Sequence, residues 1–182
     1  MELYRLNVVD RRTRFSKNEI IVYEDYAEII LYDSKLNEKA RALIDVDDVS
    51  KIKDIKWCFD RYVRSTTIHS TLHRFLLNID DKNPIDHING NTLDNRKSNL
   101  RFCTTSQNAM NQKLSTRNKS GYKGIFWDKH RNKWRVTIAI NGQQTGLGRF
   151  NTLEEAIQAR KEAVEKYYEE FAYKGDYEGG DE

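Results

Sequence analysis

The side chains with chemistry to offer are concentrated between Pro84 and Asn108, in the stretch PIDHINGNTLDNRKSNLRFCTTSQN. Asp86 and His87 stand side by side, and a series of Asn residues follows. Asn89-Gly90 marks a tight turn. Asp94-Asn95 and Ser98-Asn99 are turn or cap signals. A stretch this polar contributes no core, so its residue types ask for another explanation. Oxygen atoms of Asp and Asn suit a hard divalent cation, and a neighbouring imidazole can take a proton from water. Together they are the minimum equipment for metal-assisted hydrolysis of a phosphodiester. The competing reading makes Asp86 and His87 ordinary turn residues and the Asn run a means of satisfying loop backbone. A bare Asp-His pair is more often that.

Elements on either side must position this stretch. The first eighteen residues show little periodicity, and their basic cluster, Arg11, Arg12, Arg14 and Lys17, reads as a solvated charge run or a DNA-touching arm. Ile20–Tyr23, Ala27–Tyr32 and Ala40–Ile44 are β-prone runs separated by turn residues, the pattern of an antiparallel meander. Asp45 can cap a helix bearing Val46, Val49, Ile52 and Ile55 at three-residue spacing, with Trp57 and Phe59 packed beneath it. Arg61–Ser65 and Thr66–His69 read as two further strands, leading to a helix around Leu72–Leu77.

The segments Thr71–Phe75, Ile85–Asn91, Asp94–Arg101 and Thr104–Asn108 resemble, in order and spacing, an HNH endonuclease of the phage and homing-endonuclease type. The resemblance implies a ββα-metal motif, a two-stranded hairpin and a helix around one divalent ion. By matched position it makes His87 the general base, Asn99 the residue that orients its ring, and Asp86 and Asn108 the metal ligands. It places His73 and Arg74 near the site, for phosphate contact or packing. Chemically, His87 must be neutral to act as a base, and an unperturbed imidazole mostly is at neutral pH. The implied ion is Mg2+ or Mn2+, both suited to oxygen donors.

Of 182 residues, 38% are hydrophobic, which implies small modules rather than one large core. No apolar run is long enough to span a membrane, and the N-terminus lacks the apolar core of a signal peptide. The two cysteines, Cys58 and Cys103, have no CxxC partner, so neither structural zinc nor a disulfide framework is expected. The expected setting is a reducing cytoplasm, the host's if phage-encoded, rather than secretion. Charge is uneven: residues 115–149 hold 8 basic and 1 acidic side chains, whereas residues 150–182 hold 4 and 10. A basic patch beside an acidic tail is the footprint of a nucleic-acid surface.

Past a polar linker at 115–121, Tyr122–Trp127, Lys133–Ile140 and Gln143–Phe150 read as three strands. In the second, alternation puts Trp134, Val136, Ile138 and Ile140 on one face and Lys133, Arg135, Thr137 and Ala139 on the other. Asn141-Gly142 is a hairpin signal. Thr152 with Glu155 forms a capping box for a helix with Ala156, Ala159, Ala163 and Tyr167 toward the sheet. Gly121–Ile125, Lys133–Val136, Leu147–Phe150 and Thr152–Ala156 resemble an AP2-type DNA-binding domain. The resemblance implies a sheet that lies in the major groove. Phe126, Ala139 and Gly146 depart from its usual contact residues, so no base preference carries over. The DNA-contacting set expected from charge and matched position is Lys119, Lys123, Trp127, Lys129, Arg131, Lys133, Arg135, Thr137 and Arg149.

The expected class is therefore α+β: a platform at 1–60, a nuclease motif at 61–114, the linker, a reader at 122–173 and an acidic tail at 174–182. The expected activity is metal-dependent, site-preferring cleavage of double-stranded DNA, with a nick as the simplest product of a monomer and no small-molecule cofactor. The alternative is a non-catalytic, sequence-specific DNA-binding protein. An RNA-binding factor has only the basic surface in its favour, since RNA readers display stacking aromatics on an open face.

Overall fold

Runs of β-branched and aliphatic residues near the N-terminus build a sheet, and everything that positions Asp86 and His87 is laid against it. A computed structural model describes residues 1–79, 83–111, 114, 118–168 and 171–172. The chain divides into two compact units, Met1–Phe102 and Cys103–Glu182. That division falls inside the expected 61–114 segment.

In the first unit β1 (Tyr4–Leu6), β2 (Ile20–Val22), β3 (Tyr26–Tyr32) and β4 (Glu38–Asp45) form an antiparallel sheet in that order. The N-terminal stretch is thus partly a strand rather than an arm. From its basic cluster Arg12 folds back, its guanidinium 4.2 Å above the Tyr32 ring, while Arg11 and Arg14 are exposed. The core gathers Ile20, Ile29, Leu31, Ile44, Ile52, Trp57, Val63 and Leu72. Asn18, buried, stitches strand to core: its Nδ2 donates to Ile30 O at 2.8 Å and Trp57 O at 3.0 Å, and its Oδ1 accepts from Trp57 N at 2.7 Å.

The helix expected from Asp45 is short, a 3-10 turn at Val46–Asp48 followed by α1 (Val49–Ile52). Asp45 makes no cap bond; its carboxylate is used elsewhere, as described below. Next come β5 (Cys58–Phe59), β6 (Val63–Ser65) and β7 (Ser70–Thr71), then α2 (Leu72–Leu76). The strand expected at Thr66–His69 is a turn, with His69 at φ 51. A left-handed residue cannot continue a ladder, so pairing resumes at Ser70. The unit closes with the hairpin of β8 (Ile85–His87) and β9 (Leu100–Phe102).

The second unit begins with α3 (Thr105–Met110), where Thr104 and Gln107 form a capping box. β10 (Ile125–Asp128), β11 (Lys133–Ile140) and β12 (Gln143–Phe150) make an antiparallel sheet in that order, covered by α4 (Leu153–Tyr168). Thr152 and Glu155 cap α4 reciprocally, Glu155 N to Thr152 Oγ1 at 3.2 Å and Thr152 N to Glu155 Oε2 at 3.3 Å. Its buried face is Ala156, Arg160, Ala163, Val164 and Tyr168. Tyr167 is exposed instead, because the face rotates by one residue toward its C-terminus. A bulge at Val136/Thr137 interrupts the alternation of β11, so Val136, Thr137 and Ile138 are all buried. The acidic tail at 174–182 lies outside the described residues. Among the described residues, no helix is long and apolar enough to cross a membrane.

Candidate active site

β8 delivers the two central side chains. Ile85, Asp86 and His87 are all buried, in the register Ile85 to Phe102, Asp86 to Arg101 and His87 to Leu100. Strand alternation turns Asp86 and His87 to opposite faces. Arg101 meets Asp86 across the hairpin, donating from Nε and Nη2 to Asp86 Oδ2 at 3.0 and 2.8 Å. Nothing in the linear pattern singles out Arg101; only its strand register brings it to Asp86.

The loop after β8 is held by its own amides. Asn89 N donates to Asn99 Oδ1 at 3.0 Å, and Asn99 Nδ2 donates to Asn89 Oδ1 at 3.0 Å and Asp94 O at 2.8 Å. Asn89 Nδ2 donates to Asp94 Oδ2 at 3.1 Å. The large sheet anchors this loop. Leu43 N donates to Leu93 O and Asn95 N donates to Leu43 O, both at 2.8 Å. Asp45 Oδ2 accepts from Lys97 N at 2.8 Å, and Leu93 packs against the core.

One product of this anchoring is a fixed partner for His87. Its Nε2 lies 3.3 Å from Asn95 Oδ1. Asn95 Nδ2 already donates to Thr92 O at 3.3 Å and Leu93 O at 3.1 Å. Oδ1 is therefore the acceptor end of the amide, and the imidazole donates from Nε2. In the neutral ring that tautomer puts the lone pair on Nδ1. Burial lowers the His87 pKa, against the opposing pull of the Asn95 hydrogen bond and of Asp86 and Asp94. The ring is thus neutral at neutral pH, as a base requires.

Asn99, expected to orient this ring, is spent on Asn89 and Asp94, and Asn95 is the amide that reaches it. Both lie in an aperiodic loop, so spacing could not tell them apart. His73, from the first turn of α2, stands edge-on to His87 with ring centroids 5.2 Å apart. Tyr62, unremarked in the sequence, packs 5.6 Å from His73 and 6.3 Å from His87. Nε2 of His73 lies 3.2 Å from Thr71 Oγ1, and its Nδ1 is buried without a hydrogen-bond partner. Burial, aided by His87 and Arg74, pushes the His73 pKa down to about 4. Arg74 donates from Nη2 to Asn83 O at 2.8 Å, bracing the approach to β8. Asn108 is half-buried on α3, in the second unit.

Among the described residues no three His, Cys, Asp or Glu side chains converge as a metal cage. The matched donor set is one carboxylate, Asp86, and one carboxamide, Asn108. Two oxygen donors fit a hard divalent ion that keeps places for water and phosphate.

On the second unit's sheet, Phe126, Arg135 and Arg149 lie in one cross-strand row and all are exposed. Two guanidiniums directly opposite repel, and Asp128 relieves this partly, accepting from Arg149 Nε at 3.1 Å and from Arg131 Nη1 at 3.4 Å. Lys119 and Lys129 are exposed, and Lys133 is half-buried. Lys123 donates from Nζ to Met110 O at 2.8 Å. Trp127 pairs with Trp134 across the strands and packs edge-on to it, centroids 5.1 Å apart, so it belongs to the face opposite Arg135. Thr137, expected among the contacts, is buried by the bulge, with its N and Oγ1 on Gly124 O at 2.8 and 3.4 Å.

Two proteins share parts of this sequence. "Protein 3.8" of Escherichia phage T7 is 40% identical over 70 residues, which is 38% of this chain and 58% of that protein. An uncharacterized HNH endonuclease of Acanthamoeba polyphaga mimivirus is 36% identical over 107 residues, 56% of this chain and 54% of that protein. The chain thus spans little more than half the length of each. No solved structure matches it. Residues 78–110, the stretch that carries Asp86, His87, Asn95, Asn99 and Asn108, match the family model of the HNH endonucleases.

Proposed function

We propose that the chain is a metal-dependent endonuclease that hydrolyses a phosphodiester bond in double-stranded DNA. The observation that carries this reading is the buried, neutral His87, its Nε2–H held by Asn95, one residue from Asp86 and inside the segment of HNH likeness. His87 takes a proton from the attacking water at Nδ1. Asn95 keeps the ring in the tautomer and orientation this requires. By matched position Asp86 and Asn108 would hold the ion, and Arg101 fixes the Asp86 carboxylate. A bound Mg2+ or Mn2+ supplies charge stabilisation at the phosphoryl oxygens and the leaving 3′ oxygen. By sequence resemblance, residues 85–108 would supply the ββα-metal motif. The C-terminal sheet acts as an AP2-like reader that presents Lys133, Arg135 and Arg149 to the duplex. One site per chain makes a nick the simplest product of a monomer.

One observation favours a second reading. The Asp86–Arg101 ion pair is what a DNA-binding protein without metal would use to close the same hairpin. Supercoiled plasmid incubated with the wild type and with His87→Ala, each with Mg2+, Mn2+ or EDTA, separates the two. Metal-dependent open-circular product, absent in the variant, is the result expected of the nuclease. Salt-sensitive binding without cleavage under any metal leaves the binding protein standing.

A further inference from the structure

The second unit holds a cavity of about 640 Å3 bordered by α3, the sheet and α4, within the range of roughly 300–1,000 Å3 found for small-ligand sites. Among the described residues that line it are two cations, Lys123 and Arg160, and no Asp or Glu. Arg160 is 3% exposed. A guanidinium carries five N–H donors. Among the described residues, the one hydrogen bond of Arg160 runs from Nη1 to Thr137 O at 2.9 Å, and its Nε is buried with no partner. The Tyr168 ring lies 5.5 Å from the guanidinium carbon, and no carboxylate of the described residues pairs with it. Burying a charge is costly unless it is paired. An apolar side chain of similar volume would fill the same space without that penalty. The backbone is also shaped around the group: a Cβ on Gly124 would lie 3.2 Å from Arg160 Cζ. On the cavity wall Phe126 is 48% exposed, a flat apolar ring open to stacking.

We infer that this cavity binds a nucleotide phosphate, with Arg160 and Lys123 as its cations and Phe126 against the attached base. The phosphate belongs either to the DNA backbone or to a free nucleotide. Binding here does not depend on cleavage.

The test uses the full chain in EDTA, titrated with thymidine 5′-phosphate, thymidine and a short DNA duplex. The arginine Nε–H signals are followed by NMR, and affinities are measured for wild type, Arg160→Gln, Arg160→Lys and Ala109→Trp. The last variant fills the cavity from the exposed side of α3 and leaves Arg160 in place. Expected are a shift of the Arg160 signal with phosphate-bearing probes but not with thymidine, and affinities at least about tenfold weaker in Arg160→Gln and Ala109→Trp, with Arg160→Lys intermediate. A response to thymidine 5′-phosphate identifies a free nucleotide as ligand; a response to the duplex alone identifies backbone phosphate. An unmoved Arg160 signal with every phosphate probe, or wild-type affinity in folded Ala109→Trp, overturns the inference. A chain that binds in this way but leaves plasmid intact keeps this site and loses the nuclease reading.

Discussion

At the scale of single residues, the site rests on which amide reaches which ring. Asn95 contacts His87, whereas Asn99 closes the loop, so their removal has different consequences. Asn95→Ala is expected to slow cleavage by about 10–100-fold through loss of ring orientation. Asn99→Ala is expected to lower stability by about 1–3 kcal/mol, the cost of buried partners left unpaired, with a smaller effect on kcat. Single-turnover rates beside thermal melts distinguish them, and a reversed pattern would return the orienting role to Asn99. His73 provides a pH signature. Its folded pKa of about 4 lies below the ordinary 6.5, so the unfolded chain binds the extra proton as pH falls. Stability is therefore full above pH 6.5 and is lost progressively toward pH 4. In His73→Phe the Tm should decline less over that interval; an unchanged acid slope would show that His73 is not buried in the neutral form.

At the scale of elements, short strands are made precise by neighbours distant in sequence. β8 and β9 have three residues each, too few to fix a hairpin alone. Leu43 and Asp45 of β4 hold the loop between them by its backbone, and Leu93 seats it in the core. In the second unit the equivalent pivot is Gly124. It sits at φ 75, and a Cβ there would collide with Thr137 O beside the β11 bulge. Gly124→Ala should destabilise that unit by at least about 2 kcal/mol, from left-handed strain plus the collision. Denaturant unfolding followed by Trp127 and Trp134 fluorescence reads this directly, and a neutral result would mean that the bulge relaxes at little cost.

At the scale of the molecule, the proposed catalytic and DNA-contacting functions fall to different residues and should separate by mutation. Arg135→Ala and Arg149→Ala should weaken duplex binding and reduce the slope of log affinity against log salt by about 1 for each phosphate that the protein no longer neutralises. His87→Ala should leave both nearly unchanged while removing cleavage. If His87→Ala altered affinity as much as the arginine variants, the two sets of residues would not be functionally distinct. Because Asp128 holds Arg149 and Arg131, Asp128→Asn should tighten binding at low salt.

Local rules in the chain were enough to single out the polar stretch around Asp86-His87 as a candidate site, and to find the strand–hairpin–strand pattern of the C-terminal sheet and the capping box of α4. Turn residues, alternation and cap spacing act within a few positions, so these features can be read without knowing the fold. Folding in three dimensions was needed to establish that Asn95 and not Asn99 meets His87, that Arg101 pairs with Asp86, that Tyr62 and His73 pack on the imidazole, and that Thr137 and Arg160 are buried. Each of those depends on strand register, on a bulge that shifts alternation by one residue, or on an anchor from β4 some fifty positions away (Asp45 to Lys97). Contacts across such separations follow from how the layers pack, and no local pattern in the chain encodes them.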